Sequence, residues 1–359
     1  MKAYTSGLII NQNTKITKER RLPIKGTVLC KKGDRVEYNT TIARGEIKGH
    51  LATFRFSQEM NINPPDTEKF LIPKTGDKIA AGDIIGSADS FFGLFHRHIK
   101  SPYSGTLEYI NKDTGTIGIR LDSSVIDLKA YIRGTVKEII PDEGAVIETQ
   151  GTYIQGIFGI GGEKYGKLIF NPNETSDTNE NYILVSTENL TCDTLKEYEK
   201  RNIVGVIAGS VSDTEIAKYT EKELGVAITG DEKCRITLIL TEGFGNIPIS
   251  DRTLKILKNI ENSYISVNGA TQIRAGVIRP EIIKSSDNSE NTVLNNNTSL
   301  RIGSQIRIMS EPYLCRYGTV TKIFDKPIQL ETGTFANCIE AKIDNRIVII
   351  PRTNIEIIY

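Results

Sequence analysis

One short turn motif occurs twice in this sequence, and the repeat restricts the fold more than any other feature. Residues 32–36 (KGDRV) precede residues 42–43 (IA), and residues 75–79 (TGDKI) precede residues 85–86 (IG) at the same spacing. Glycine permits a positive φ, and aspartate can accept hydrogen bonds from the turn backbone. An apolar residue follows two positions after each aspartate, so each copy predicts a strand, a turn and a second strand.

A second short repeat is Gly-Thr followed by an apolar residue, at residues 26–28, 105–107 and 134–136. Short strands punctuated by glycine predict a small barrel or sandwich. Together with residues 101–107 (SPYSGTL), the Gly-Asp units resemble the barrel-sandwich hybrid of biotinyl and lipoyl domains over residues 20–125. The resemblance implies a β-rich barrel-sandwich-hybrid region, which we place at residues 1–170.

Carrier members of that family present a modified lysine in a hairpin, typically within Met-Lys-Met or Asp-Lys-Ala. Neither tripeptide occurs in this chain. The resemblance therefore implies a structural scaffold rather than a covalent cofactor carrier.

The middle of the chain has a different pattern, in which apolar strand-like runs alternate with amphipathic segments of about ten residues. Strands are predicted at 182–186, 203–208, 236–240 and 264–267, and helices at 191–201, 212–222 and 250–260. Ser212 and Glu215 have the spacing of a capping box before the second helix. Such alternation is typical of βαβ crossovers, so we predict an α/β parallel-sheet domain at residues 180–284.

The last part of the chain returns to a β pattern after a polar, Asn-rich stretch. Residues 285–299 have almost nothing to bury and predict a flexible linker. Residues 306–323 resemble a KOW motif, although Glu311 and Cys315 replace the usual glycines. This resemblance implies a small SH3-like β-barrel at residues 300–359 and contact with nucleic acid. The predicted fold class is therefore multidomain α+β.

Charge, cysteine and hydropathy patterns exclude several classes of protein. The 45 basic and 44 acidic residues nearly cancel, which argues against a protein held to nucleic acid by bulk charge. Five scattered cysteines without a CxxC pair fit reduced thiols better than a disulfide framework or a zinc site. No apolar run approaches the length of a membrane span, so we expect a soluble, cytoplasmic protein.

Loops that follow the predicted parallel strands are the best candidates for a ligand or partner site, because ligands bind at the carboxyl ends of such strands. The candidate residues are Thr229, Gly230, Asp231, Glu242, Gly243, Phe244, Gly245, Asn268 and Arg274. Asp231, Glu242 and Arg274 could converge into an enzyme pocket. The alternative is that these glycine-rich turns have only a structural role, because any fold of this kind needs such turns.

The most glycine-dense segment contains Gly156, Gly159, Gly161 and Gly162. From Gly161 it nearly matches a nucleotide-binding GxxxxGK loop, but Leu168 stands where a magnesium-ligating Ser or Thr belongs. We therefore interpret it as a glycine-rich contact loop. All three histidines precede residue 100, which gives little support to a Ser-His-Asp or Cys-His arrangement. His96 and His98 supply only two possible metal ligands, which are too few for a site, so we predict no metal site. We also predict no catalytic residues.

Four segments together resemble a bacterial family that is associated with a glutamate-mutase-accessory-type ATPase. They are residues 21–26 (RLPIKG), 155–163 (QGIFGIGGE), 241–245 (TEGFG) and 268–280 (NGATQIRAGVIRP). The family is that of the non-ATPase subunits of reactivases for lysine 5,6-aminomutase, an adenosylcobalamin enzyme of lysine degradation.

The resemblance implies a chaperone-like accessory subunit without catalytic activity of its own. Its partners would be the ATPase subunit of the reactivase and the aminomutase client. ATP would be bound by the partner and adenosylcobalamin by the client, with no cofactor held directly by this chain. The alternative, from the KOW-like module, is a nucleic-acid-binding factor in transcription or translation.

Overall fold

The computed structural model describes residues 7–90, 95–175, 180–221, 234–272, 278–286 and 299–358. This described part is rich in strand and poor in helix. Among its helices, none is both long and apolar enough to cross a membrane.

The N-terminal region consists of short strands with two small helices. The strands are β1 (Gly7–Leu8), β2 (Ile10–Arg21), β3 (Thr27–Val28), β4 (Arg35–Val36), β5 (Thr41–Ile47), β6 (Leu51–Phe54), β7 (Lys78–Ile79), β8 (Ile84–Ser90), β9 (Phe95–Lys100), β10 (Gly105–Asn111), β11 (Thr116–Leu121), β12 (Ser124–Lys129), β13 (Gly134–Ile140) and β14 (Gly144–Gln155). The helices are α1 (Phe56–Met60) and α2 (Thr67–Phe70), joined by a 3₁₀ turn.

The middle and C-terminal regions continue the chain with strands and three longer helices. The middle elements are β15 (Phe158–Ile160), β16 (Glu163–Ile169), β17 (Tyr182–Ser186), α3 (Cys192–Glu199), β18 (Ile203–Val211), α4 (Asp213–Thr220), β19 (Thr237–Phe244), α5 (Asp251–Asn259), β20 (Tyr264–Asn268) and β21 (Glu281–Ser286). The C-terminal strands are β22 (Gln305–Ile308), β23 (Tyr317–Ile323), β24 (Ile328–Gln329), β25 (Phe335–Ala336), β26 (Cys338–Ile343), β27 (Arg346–Pro351) and β28 (Ile355–Ile358).

Both predicted Gly-Asp units form the same turn. Gly33 and Gly76 have φ values of 92° and 99°, a region that favours glycine. The Oδ2 atom of Asp34 accepts the N–H of Lys31 at 2.8 Å, and Asp77 does the same for Lys74 at 2.7 Å. The turn is therefore set by local chemistry, as the repeat predicts.

The same turn occurs twice more, at positions outside the predicted repeat. Gly82 has a φ of 93°, and Asp83 accepts the N–H of Ala80 at 2.8 Å. In the C-terminal region Gly303 has a φ of 88°, and the Ser304 hydroxyl takes the place of the aspartate carboxylate. A serine oxygen can accept the same bond, so the turn at Gly303 does not need a Gly-Asp pair.

Each Gly-Asp unit pairs with one of the Gly-Thr strands. β4 pairs with β13, which begins at Gly134, and β7 pairs with β10, which begins at Gly105. β5 and β12 also pair, and the whole second unit from β6 to β11 lies between them in the chain. The two units are therefore nested, with the second inserted into the first.

Strands from the middle region form one large mixed sheet with N-terminal strands. Its order is β15-β19-β18-β17-β16-β20-β21-β14-β13-β4, with β2 also paired to β14. β16, β17, β18 and β19 run parallel, whereas β20 is antiparallel to β16 and β21 is antiparallel to β20. α3 and α4 pack on one hydrophobic cluster of this sheet and α5 on another.

The prediction of a separate, central α/β domain with a parallel sheet is not supported, because the parallel strands belong to this mixed sheet. The alternation of strands and helices along the chain predicts that successive strands run parallel. It does not show which other strands of the chain belong to the same sheet. The expected capping box also differs: Ser212 makes no side-chain cap bond, and Glu215 accepts the N–H of Cys192 at 2.8 Å. The predicted domain limits remain predictions, and residues 287–298 of the predicted linker lie outside the described part.

The C-terminal strands form a six-stranded sheet that includes the first described strand. Its order is β1-β28-β22-β23-β26-β27, and β1 pairs parallel with β28. Leu8, Ile10 and Ile358 are buried in the same cluster as the apolar side chains of α5. The two ends of the described chain therefore meet against the large sheet.

Candidate functional site

Three of the four segments that carry the family resemblance meet at one place. The N–H of Gly156 donates to the carbonyl of Pro280 at 2.8 Å, and that of Ile157 to Leu240 at 2.8 Å. The N–H of Gly159 donates to the Thr271 hydroxyl at 2.9 Å. We call this region the junction and define it as residues 155–163, 241–245, 268–272 and 278–280.

Two of the predicted glycines in the junction are required by close backbone packing. A Cβ atom on Gly159 would lie 2.7 Å from the carbonyl oxygen of Gly269 and 2.8 Å from that of Leu238. A Cβ atom on Gly156 would lie 2.8 Å from a methyl group of Ile239. Because only a residue without a side chain fits there, these two glycines have a structural role within the chain.

The other two glycines of the segment are different. Gly161 has a φ of 81°, and its absent Cβ would lie 3.0 Å from the carbonyl of Ile236. Gly162 has open space around it, and its carbonyl accepts the hydroxyl of Thr237 at 2.6 Å. Gly162 is therefore the glycine of this group with room beside it.

Glu242, predicted at the end of β19, is buried and bound by the C-terminal region. Its Oε2 lies 2.8 Å from Nη2 of Arg307, and its Oε1 accepts the N–H of Ser250 at 3.2 Å. The contact with Arg307 is an ion pair whose N–H direction does not satisfy hydrogen-bond geometry. The Arg307 side chain is fully buried, with an exposed fraction of 0 %.

Arg307 extends this ion pair into a chain of four charges. Its Nη1 lies 3.8 Å from Oε2 of Glu356, which stands opposite it in the β22–β28 ladder. The other carboxylate oxygen of Glu356 accepts from Nη2 of Arg279, at the edge of the junction. Two carboxylates and two guanidinium groups therefore alternate through the contact between the large sheet and the C-terminal strands.

Burial raises the pKa of Glu242, although the charge of Arg307 lowers it in part. Arg307 also donates to the main-chain carbonyl of Glu242 at 2.9 Å and contacts Sγ of Cys315 at 3.1 Å. Both oxygens of the Glu242 carboxylate thus face groups of this chain. The arrangement is suited to holding two parts of the protein together, and it leaves no oxygen of Glu242 directed at a ligand.

The aromatic edge of the junction is accessible. Phe244 is 45 % exposed, and its ring centroid lies 4.7 Å from that of Phe158. Gly243 and Gly245 on either side have φ values of 110° and 112°. These glycines allow the backbone turns that place Phe244 at the surface beside Phe158.

The remaining predicted residues fall in different places. Asn268 accepts the N–H of Ala270 at 2.9 Å, which closes a local turn in the junction. Thr229, Gly230, Asp231 and Arg274 lie outside the described residues. The predicted residues that the structure describes therefore lie together at the junction. Their binding of a ligand or partner stays a prediction.

Sequence reasoning missed Arg279, Arg307 and Glu356. A signal was present for two of them: Arg307 lies between Ile306 and Ile308, and Glu356 between two isoleucines. A single charge in an apolar strand indicates a buried partner of opposite sign. The identity of that partner depends on the pairing of distant strands, which the sequence does not provide.

A second polar cluster, buried at Glu281 and exposed at Glu163, lies on both sides of Asn268 in the sheet. Glu281, which is opposite Asn268, accepts from the Tyr153 hydroxyl at 2.8 Å and from Nζ of Lys18. On the other side of Asn268, Glu163 binds Arg20 through both carboxylate oxygens, at 2.5 and 2.7 Å. Burial raises the pKa of Tyr153, so this phenol stays a neutral donor.

Comparison with known proteins adds no assignment, since no protein-family model and no curated protein matches this chain. Within the described residues, no group of three or more His, Cys, Asp or Glu side chains is arranged to hold a metal ion.

Proposed function

We propose that this protein is an accessory, chaperone-like subunit that works in the cytoplasm with an ATPase partner. In this proposal it helps to reactivate an adenosylcobalamin-dependent aminomutase by promoting release of the damaged cofactor. The observation that carries the proposal is that three segments which resemble the reactivase family meet at one junction. Hydrogen bonds join residues 155–163 to residues 268–272 and 278–280, and the ring of Phe244 in segment 241–245 contacts that of Phe158.

The junction has properties that suit docking. Its interior is fixed by glycine packing and by the buried Glu242–Arg307 ion pair, whereas Phe244 and Phe158 form an aromatic pair at its rim. Aromatic side chains on rigid supports are common anchors of protein interfaces. We propose that this rim contacts the ATPase subunit or the aminomutase client, with ATP on the former and adenosylcobalamin on the latter.

The finer fold assignments belong to the same proposal. We propose a barrel-sandwich hybrid for the nested units of residues 20–125, supported by the paired Gly-Asp and Gly-Thr strands. We also propose an SH3-like barrel for residues 300–359, supported by the antiparallel order of β22, β23, β26 and β27. In both units the strands are short and joined by glycine turns, as small barrels require.

A reconstitution assay tests the function. Inactivated aminomutase is mixed with the ATPase subunit, ATP and intact coenzyme, with and without this protein, and the recovery of mutase activity is measured. We expect recovery only with the protein present, and a marked loss with Phe244→Ala. The matched control is Phe335→Ala, which removes a ring that is 66 % exposed in the C-terminal region. Equal recovery without the protein would exclude this function.

A nucleic-acid-binding role for the C-terminal region is the second candidate. Nζ of Lys322 lies 4.9 Å from the ring centroid of the half-buried Phe324, and Phe335 of the same region is exposed. Aromatic rings and positive charge together are typical of single-strand binding surfaces. Filter binding at low and moderate salt tests it: affinity should fall steeply with salt, and an absence of RNA and DNA binding at low salt would exclude it.

A further inference from the structure

An open cleft of about 210 Å³ lies between the outer nested unit and the large sheet, away from the junction. Two cations, Arg133 and Lys284, one carboxylate, Glu37, and two tyrosines, Tyr165 and Tyr264, line it, together with serine hydroxyl groups. We call it the tyrosine cleft.

The aromatic side of the cleft is a ladder of parallel rings. Tyr165 is stacked between Tyr38 and Tyr264, with interplanar angles of 12° and 11°. Tyr264 is the outer ring, is 49 % exposed, and is held at its hydroxyl by Glu180. A fixed ring at the end of a stack offers its face to a further planar group.

The polar side of the cleft has an excess of positive charge. Arg133 forms an ion pair with Glu37 at 3.1 Å. Lys284 has no ion-pair partner within the described part of the chain, so one positive charge is uncompensated there. The hydroxyl groups of Ser263 and Ser285 lie in the same lining and can donate to an anion.

We propose that the tyrosine cleft binds a mononucleotide, with the base stacked on Tyr264 and the phosphate held by Lys284 and Arg133. A planar base matches the exposed ring, and a phosphate matches an ammonium and a guanidinium group with nearby hydroxyls. Burial raises the pKa of Tyr165 to about 12, so the ring beneath Tyr264 stays neutral even at mildly alkaline pH. This site does not depend on the proposed function, because the cleft and the junction share no residues.

Calorimetric titration of the full chain with AMP, adenosine and ribose 5-phosphate tests the site. We expect AMP to bind at one site. Adenosine lacks the phosphate and ribose 5-phosphate lacks the base, so each should bind about tenfold more weakly than AMP. AMP affinity should also fall with salt, since the phosphate contact is electrostatic. The proposal is wrong if AMP does not bind or if all three bind equally.

Two variants locate the site. Lys284→Gln removes the uncompensated charge and should weaken AMP binding about tenfold, and Tyr264→Leu removes the stacking platform and should weaken it by a similar factor. The matched control is Lys255→Gln, an exposed lysine of α5, which should leave affinity unchanged. An equal loss in all three variants, or no loss in the first two, would overturn the assignment.

A measurement on the unmodified protein covers the case in which a variant fails to fold. An amine-reactive ester labels exposed lysines, and peptide mass spectrometry gives the rate at each position. AMP should slow the labelling of Lys284 and leave that of Lys255 unchanged. Equal rates at Lys284 with and without AMP would contradict the proposed phosphate contact.

Discussion

The Gly-Asp turns and the junction both depend on glycine and on carboxylates, yet they are built differently. In the turn at Gly33 the carboxylate of Asp34 binds a backbone N–H three residues away, and a Cβ on the glycine would meet nothing within 4 Å. In the junction Glu242 binds Arg307, which is 65 residues away, and a Cβ on Gly159 would meet two carbonyl groups. Local chemistry thus fixes the first structure, and long-range packing fixes the second.

The largest effect should come from breaking the charge chain. Arg307→Ala leaves Glu242 and Glu356 without their shared cation in a buried site, and we expect the free energy of unfolding to fall by about 3–5 kcal/mol. Urea denaturation measures it. Arg44→Ala is the control, because its pair with Asp127 is exposed and should matter little. A small loss at Arg307 would mean that water replaces the ion pair.

The next effect tests steric packing in the junction. Gly159→Ala inserts a Cβ against the carbonyls of Gly269 and Leu238 and should destabilise the fold by about 1–3 kcal/mol. The matched control is Gly162→Ala in the same segment, where a Cβ would meet nothing within 4 Å. If both variants have the same thermal stability, close packing is not the reason for glycine at position 159.

At a turn glycine, the loss of stability on substitution should come from the positive φ that the turn requires and not from a steric clash. Gly33→Ala has room for its Cβ but must keep a φ of 92°, so we expect a loss of about 1–2 kcal/mol from backbone strain. Gly33→Val should cost more and Gly33→Asn less, because asparagine tolerates positive φ and β-branched residues do not. Chemical denaturation of the three variants checks this order, and a reversed order would contradict a conformational cause.

Removal of a turn carboxylate should have a smaller effect. Asp77→Ala loses the bond to the N–H of Lys74, which is worth about 0.5–1.5 kcal/mol. Asp34→Ala should lose a similar amount because its bond has the same geometry. The double variant should lose the sum of the two, since the turns share no partner. A double variant that loses much more or much less than this sum in denaturation experiments would show that the nested units are coupled.

The smallest effect is a difference in pH dependence between a buried and an exposed carboxylate. Burial raises the pKa of Glu242 in the folded state, so its contribution to stability is most favourable below the unfolded pKa and is lost as pH rises through the folded pKa. The hydrogen bond from Arg120 lowers the pKa of exposed Glu108, so that contribution is present above the unfolded pKa and is lost as pH falls.

Carboxyl carbon NMR shifts of these two residues measure the predicted difference directly. Glu242 should titrate at a higher pH than a free glutamate, and Glu108 at a lower pH. Glu242→Gln should make unfolding stability less dependent on pH in the weakly acidic range. Titration of Glu242 below Glu108 would mean that the attraction of Arg307 outweighs burial.

Patterns that depend on near neighbours were predictable from the sequence. The Gly-Asp turns formed at both expected positions, and the three predicted helices and their flanking strands lie close to their predicted ranges. The segment with Gly156 and Gly159 was recognised as rich in glycine, but the reason for these two glycines is the close approach of Ile239, Leu238 and Gly269, which belong to later parts of the chain. The prediction of a separate parallel-sheet domain is not supported, because β14 and β16, which precede residue 180, belong to the same sheet.

By itself, the sequence determined the turns, because a glycine with positive φ and a carboxylate three residues from its donor need no distant partner. It also contains a signal for Arg307 and Glu356, because each is a single charge in an apolar strand. The tertiary structure alone decided which partners they have, since Glu242 and Arg279 reach them only after the large sheet and the C-terminal strands pack together. Buried charges are stable only when paired, and that pairing is a property of the assembled fold.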